Sequence, residues 1–369
     1  MTAPDDGDSR ITANVLTGFL GAGKTSLLKR LLALPSLSGT AVIINEFGEV
    51  GLDHLLVEAI DDDIVLLKSG CICCNIRTDL KDALLSLFER SRNGEIPRFS
   101  RIAIETTGIA DPAPIVATLS ADPMLRHHFR VGNIVTVVDV PNGQSNLDGF
   151  VESQRQVAVA DRIIVSKSDI SPAEDTARLR ARLEALNPAA EILELDETMQ
   201  PDDALFMRDI HDSSARGAEV ARWLKAETRA LDAHGHHHHH GHDHGHSHHQ
   251  AHEHDVNRHG DIRAFVLKGD APLSWARFGL WLSMLLNRHG GEILRLKGLL
   301  DIEGNDSPVV IQGVQHLIHK PMHLDHWPAG VNGTHLVVIA KGLDPALVER
   351  SFRAFNGLSP LLGGLAKSA

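Results

Sequence analysis

Two rhythms of apolar and polar positions alternate along the first half of the chain. Short apolar runs at 11–16, 40–44, 64–67, 101–104, 134–138 and 162–165 are bounded by Gly, Asn, Asp or Ser. Continuous runs of that length read as strands buried on both faces. Between them the spacing lengthens to a helical repeat, at 26–32, at 79–92 with Leu80, Leu84, Leu87 and Phe88 on one face, and at 173–186 before Asn187-Pro188. Strands alternating with helices predict an α/β domain, a parallel sheet with helices on both faces. Beyond residue 260 the order changes. Strands at 263–267, 293–302, 309–318 and 334–340, with helices at 273–286 and 345–355, predict a smaller α+β unit. Trp275, Phe278, Leu282 and Leu285 fall on or near one face of its first helix and are expected in the core.

The stretch between these halves fits neither rhythm. Fourteen of the 24 His lie between His234 and His259, among Gly, Asp and Glu with almost nothing apolar. Such a segment cannot pack a core. Its irregular interleaving and internal position argue against an engineered tag. The expected organisation is therefore a nucleotide-binding domain over 10–232, a His-rich mobile linker over 233–260 and a C-terminal domain over 261–365. A net charge of −12 argues against a nucleic-acid partner. No apolar run approaches the roughly 20 residues needed to span a bilayer, and the first ten residues are polar. A cytoplasmic protein without a membrane partner is expected.

The candidate chemistry starts at Gly18-Phe19-Leu20-Gly21-Ala22-Gly23-Lys24-Thr25-Ser26. It fits the phosphate-binding loop G-x4-G-K-[ST], placed between a strand and a helix as that loop requires. Gly18, Gly21, Ala22 and Gly23 offer backbone N–H groups to phosphates, and the helix behind presents its positive end. Lys24 is expected to reach the β- and γ-phosphates, with the Thr25 hydroxyl on Mg²⁺. Glu105 closes an apolar strand, with Gly108 three residues on. An acidic residue there bonds a magnesium-bound water, and the Gly amide senses the γ-phosphate. Lys24 and Glu105 are the catalytic candidates; the alternative for Glu105 is a solvated strand-end carboxylate. Ser166-Lys167-Ser168-Asp169 has the position and ending of the guanine motif Asn-Lys-x-Asp, departing from it at Ser166. The Asp169 carboxylate can accept from guanine N1 and N2 together, which adenine cannot match, and the Lys167 stem can cover the base.

Cys71, Cys73 and Cys74 are the chain's three cysteines. An odd cluster is no disulfide framework; it reads as metal or redox chemistry. Three thiolates within four residues can meet on Zn²⁺ and leave a fourth position open for transfer. Glu49, in an acidic Gly-punctuated loop, is a further ligand candidate. In the His tract, His236, His237, His238, His242, His244 and His246 carry neutral imidazoles that bind Zn, Ni, Co and Cu, suited to capture rather than fixed geometry. The bland reading of that tract is a solvated spacer. His316, His319, His323 and His326 read as structural or surface residues.

Taken together, the phosphate loop, Asn45-Glu46-Phe47-Gly48-Glu49-Val50, Gly70-Cys71-Ile72-Cys73-Cys74, Glu105-Thr106-Thr107-Gly108 and Ala160-Asp161-Arg162-Ile163 resemble the CobW-like GTPases that serve as metal chaperones, most nearly the YjiA-type members. Leu296-Lys297-Gly298 and Ile311-Gln312-Gly313-Val314-Gln315 are similar to that family's C-terminal domain. The resemblance implies a phosphate-loop NTPase domain followed by a smaller domain, with GTP hydrolysis modulated by bound metal, most often zinc. It also implies that Cys73 and Glu49 match metal-associated positions. The expected activity is slow GTP hydrolysis to GDP and phosphate, coupled to handing Zn²⁺ to a client metalloprotein, by a monomer or homodimer. Two alternatives stand beside it: a nickel or cobalt insertion GTPase, and a non-enzymatic zinc buffer or sensor.

Overall fold

A computed structural model describes residues 10–45, 56–61, 64–69, 76–195, 204–207, 217, 220 and 262–359. Its central strand is β1 (Ile11–Gly18), in which Thr12 to Gly18 are all buried. Around it lie β2 (Thr40–Asn45), β3 (Leu56–Asp61), β4 (Ile64–Ser69), β5 (Arg101–Glu105), β6 (Phe129–Asp139), β7 (Arg162–Ser166) and β8 (Glu191–Leu195). The order across this eight-stranded sheet is β3-β4-β2-β5-β1-β6-β7-β8. Every pairing is parallel except that of the edge strand β3, which runs antiparallel to β4.

Helices α1 (Lys24–Leu32), α2 (Ile76–Arg92), α3 (Ala113–Ala121), α4 (Pro123–His128), α5 (Val140–Gly149), α6 (Val151–Val159), α7 (Ala173–Leu186) and the short α8 (Ala204–Met207) cover both faces. The two-residue repeat of β1 divides its contacts between them. Leu16 joins Leu27, Leu28 and Leu31 of α1 and Phe206 of α8. Ala13 and Val15 join Leu80, Leu84 and Leu87 of α2 with Val116 and Leu119 of α3.

The second sheet is antiparallel: β9 (Ile262–Gly269), β10 (Ile293–Leu300), β11 (Val309–Val314), β12 (Leu317–Ile318), β13 (Met322–His323) and β14 (Thr334–Lys341). Its order is β12-β11-β10-β14-β9, with β13 also on β11. The expected single strand at 309–318 is a hairpin instead. Gln315 takes a left-handed φ of 52°, and Ile318 folds back beside Gly313. Helices α9 (Trp275–His289) and α10 (Pro345–Asn356) cover one face through Phe278, Trp281, Leu282, Leu285 and Phe352. Trp281 donates from Nε1 to Ser351 Oγ at 3.1 Å. Trp275, expected in this core, is 47% exposed in the first turn of α9. The other face packs on the first unit: Ile262, Leu294, Val314 and Ile339 join Leu119 and Val159, while Leu299, Val310 and Val337 surround Ala189. All eight residues of β10 are consequently buried.

Candidate functional site

The loop after β1 turns because its glycines leave the usual backbone regions. Gly21 has φ 74° and Gly23 φ 99°, conformations that side-chain-bearing residues rarely adopt. Gly23 caps α1, so Lys24 opens the helix and the first free N–H groups face the loop. Lys24 is buried, and its Nζ donates to the carbonyls of Gly18 at 2.9 Å and Phe19 at 3.2 Å. The ammonium thus lies inside the loop's own curve, where an anion's oxygens would compete for it.

Thr25 and Glu105 meet across 80 residues of sequence. The Thr25 hydroxyl donates to Glu105 Oε1 at 2.6 Å, and Glu105 is buried at the end of β5, beside Leu16 of β1. A hydroxyl and a carboxylate in contact form the all-oxygen donor set that Mg²⁺ takes. The chain after Glu105 returns along the loop. Thr106 donates from its N–H to Leu16 O at 2.9 Å and from its hydroxyl to Thr17 Oγ1 at 2.8 Å. Gly108 then presses on the phosphate loop: a Cβ there would lie 2.6 Å from Leu20 N and 2.7 Å from Leu20 Cα. The close approach of two backbones accounts for glycine at this position.

The far side of the loop is held by β7. Ser166 donates from its hydroxyl to Ala22 O at 2.7 Å. Lys167, at a left-handed φ of 59°, donates from Nζ to Gly21 O at 2.8 Å and to Asp139 Oδ2 at 3.2 Å. Asp139 is buried at the end of β6, and its Oδ2 also accepts from Asn142 Nδ2 at 2.7 Å. Asp169 is exposed two residues beyond Lys167. Ala22, Gly23, Ser26, Ser166, Lys167 and Leu195 line a cleft beside the loop.

One sheet edge therefore gathers the residues from Gly18 to Ser26 with Glu105, Gly108, Lys167 and Asp169. Cys71, Cys73, Cys74, Glu49 and the named histidines of the His tract lie outside the described residues. The six residues holding the cysteines join Ser69, the last residue of β4, to Ile76, the first of α2. Because β4 is parallel to β2, β5 and β1, that junction leaves the same sheet edge as the phosphate loop. His316, His319, His323 and His326 stay apart: among the described residues no three metal-ligating side chains gather. No described helix is long and apolar enough to cross a membrane.

Three contributors, two to the site and one to the junction between the sheets, were not anticipated. Asp139 was visible only as the polar end of a strand. Gln156 donates from Nε2 to Gly108 O and Ala110 O, each at 3.0 Å, from a helix whose sequence looks solvated. Asp161, just before β7, accepts from Arg295 and from Lys297 of the second sheet, the latter at 2.9 Å.

Comparison with known proteins gives two family matches in sequence order. "CobW/HypB/UreG, nucleotide-binding domain" covers residues 12–194, and "Cobalamin synthesis protein cobW C-terminal domain" covers 262–356. The chain is 30% identical to the zinc chaperone YjiA of Escherichia coli, over 94% of this chain and 98% of that one. The chain belongs to the CobW family. A second relative, the zinc chaperone CobW of Pseudomonas aeruginosa, is 30% identical over 94% of this chain and 91% of its own. Among solved structures, Zn(II)-bound YjiA GTPase from E. coli superposes with a TM-score of 0.65 at 26% identity, covering 94% of this chain and 99% of that one. As in the two CobW-family matches, the phosphate loop with Glu105 and Gly108 falls in the first segment and the antiparallel sheet in the second.

Proposed function

We propose that this CobW-family chain is a GTP-dependent zinc chaperone: it binds and hydrolyses GTP at the Gly18–Ser26 loop and couples that cycle to holding Zn²⁺ at Cys71, Cys73 and Cys74. The carrying observation is the Thr25–Glu105 contact at 2.6 Å beside the inward-facing Lys24, which joins loop, metal-suited oxygens and cation in one place. Lys24 neutralises phosphate charge, and Glu105 fixes the Thr25 side of the site. Thr25 and Glu105 would hold Mg²⁺, which would supply further neutralisation of phosphate charge. Lys167 and Asp169 take the guanine, and the loop carbonyls of Gly21 and Ala22 are braced from below by Lys167 and Ser166.

Support for zinc as cargo is chemical and topological. Thiolates suit Zn²⁺, and the Cys segment leaves the same end of the sheet as the phosphate loop, three strands from β1. Glu49 completes the ligand set, and His236, His237, His238, His242, His244 and His246 serve as capture groups. Coupling between the sites is reciprocal: if GTP tightens zinc binding, zinc tightens GTP binding equally. The test measures GTP affinity with and without Zn²⁺ for the wild type and Cys73→Ser. A zinc-dependent gain in the wild type that Cys73→Ser abolishes is expected; equal affinities in all four cases would refute the coupling.

A further inference from the structure

Gln156 has no part in the chemistry set out above, yet it is built into the site. Its side chain is 1% exposed, inside the first unit. Its own carbonyl accepts from Thr136 Oγ1 at 2.7 Å, which ties this turn of α6 to β6. Thr136 lies beside Thr17 of β1, whose hydroxyl receives the Thr106 hydroxyl. The side-chain amide faces two carbonyls, Gly108 O and Ala110 O, both at 3.0 Å. Carbonyls only accept, so the –NH₂ end must point at them; this orientation is dictated by chemistry.

The turn is therefore held from both ends. Thr106 is fixed to β1 through its N–H and its hydroxyl. Gly108 and Ala110 are fixed to α6 by one amide. Between these clamps lies the Thr107–Gly108 peptide, whose N–H belongs to the residue packed against Leu20 of the phosphate loop. A peptide pinned on each side loses freedom before ligand arrives, so less is lost on binding. A buried donor shared between two backbone acceptors is costly to remove, because both acceptors then lack their partner.

We propose that Gln156 is a positioning residue that holds the Gly108 turn ready for the third phosphate, and so sets the preference for guanosine triphosphate over diphosphate. This rests on the nucleotide reading above and deepens it. A diphosphate does not reach the Gly108 turn and is indifferent to it. Only the triphosphate benefits from a turn held in advance.

The test compares full-length wild type with Gln156→Met, which keeps length and helix propensity without the donor, and Gln156→Glu, which keeps shape but presents an acceptor to two acceptors. The probes are GDP and the non-hydrolysable guanosine 5′-(β,γ-imido)triphosphate, each with Mg²⁺. For both variants the triphosphate Kd is expected to rise about tenfold, as for one or two lost hydrogen bonds, while the GDP Kd stays within about twofold. A loss shared equally by both nucleotides would show a merely structural residue and overturn the proposal; so would no loss at all. Hydrogen exchange of the wild-type peptide spanning 106–110 answers independently of any variant's folding. Selective protection by the triphosphate analogue is expected, and equal protection by GDP overturns the proposal. Wild type that binds neither probe would instead defeat the nucleotide reading, and this one with it.

Discussion

The Arg295 guanidinium donates to the Asp161 carboxylate across the junction of the two sheets. Lys297 reaches the same oxygen at 2.9 Å, and the Ile134 N–H donates to the other at 3.0 Å. Both cations are nearly buried, at 2% and 5% side-chain exposure, against 14% for Asp161. Burial on its own would push the Asp161 carboxyl up; the charges of Arg295 and then Lys297 outweigh it and hold the group well below the usual carboxylate range.

Neutralising Asp161 removes the carboxylate that two buried cations share. Asp161→Asn is expected to destabilise the chain at pH 7 by about 3–5 kcal/mol, read by urea unfolding. The pH dependence follows from the lowered folded-state pKa. Below the unfolded value near ~3.9, the unfolded chain takes up a proton that the folded chain resists, so the contribution present at neutral pH is lost as pH falls. The stability gap between wild type and Asp161→Asn should therefore narrow between pH 5 and 3. A gap independent of pH would mean that the carboxylate's charge is not what holds the junction.

Gly108→Ala tests the packing of two backbones. The added Cβ would meet Leu20 N at 2.6 Å and Leu20 Cα at 2.7 Å, so one loop must withdraw by several tenths of an ångström. Misplacement on the order of 1 Å near reacting groups costs roughly 100-fold in rate. GTP turnover should fall by about that factor in a phosphate-release assay, with GDP affinity much less affected. Turnover within about twofold of wild type would show that the Gly108 turn does not approach the reacting phosphate.

These effects differ in how far they could be read from sequence. The phosphate loop was legible because its chemistry is local: consecutive residues carry both the backbone geometry and the functional groups. Glu105 and Lys167 were legible as strand ends, where open α/β sheets bind ligands. The Asp161–Arg295 contact was not, although segments around it resemble the CobW family, because 134 residues separate the partners. Gln156 stands among Glu152, Gln154 and Arg155, and nothing local distinguishes a buried amide from a solvated one. α3 is hidden in the sequence for the opposite reason. Ala113, Ile115, Val116, Ala117 and Leu119 are all buried, so it has no polar face to reveal a helical repeat. β3 and β8 are short edge strands. In β8, Glu191-Ile192-Leu193-Glu194-Leu195, only Ile192 is fully buried, and such a half-exposed edge carries little apolar signal.

Ser166 stands where the guanine motif has Asn, and the structure gives it a bracing contact all the same, its hydroxyl donating to Ala22 O at 2.7 Å. Ser166→Ala leaves that carbonyl without this donor and should weaken GTP and GDP alike by about three- to tenfold, in line with one hydrogen bond of ~1 kcal/mol. The equal effect on both nucleotides separates this brace from Gln156. Isothermal titration with each nucleotide checks it; unchanged affinities would show that the loop keeps its shape without β7.

In the proposed function, Asp169 is the residue that selects the base. Its carboxylate offers two acceptors to the two adjacent donors of guanine, N1–H and the 2-amino group. Asn offers one acceptor and one donor in the same space. Xanthine keeps N1–H but has a carbonyl at position 2, so its edge matches Asn and opposes Asp. Asp169→Asn should therefore lose GTP affinity and gain xanthosine triphosphate affinity, each by about 10- to 100-fold for paired contacts worth ~1–3 kcal/mol. The residue is exposed beyond Lys167, so the substitution should leave thermal stability nearly unchanged. Competition of the two triphosphates for wild type and variant measures the exchange directly. Loss of GTP without a gain for the xanthine nucleotide would place the base elsewhere than at Asp169.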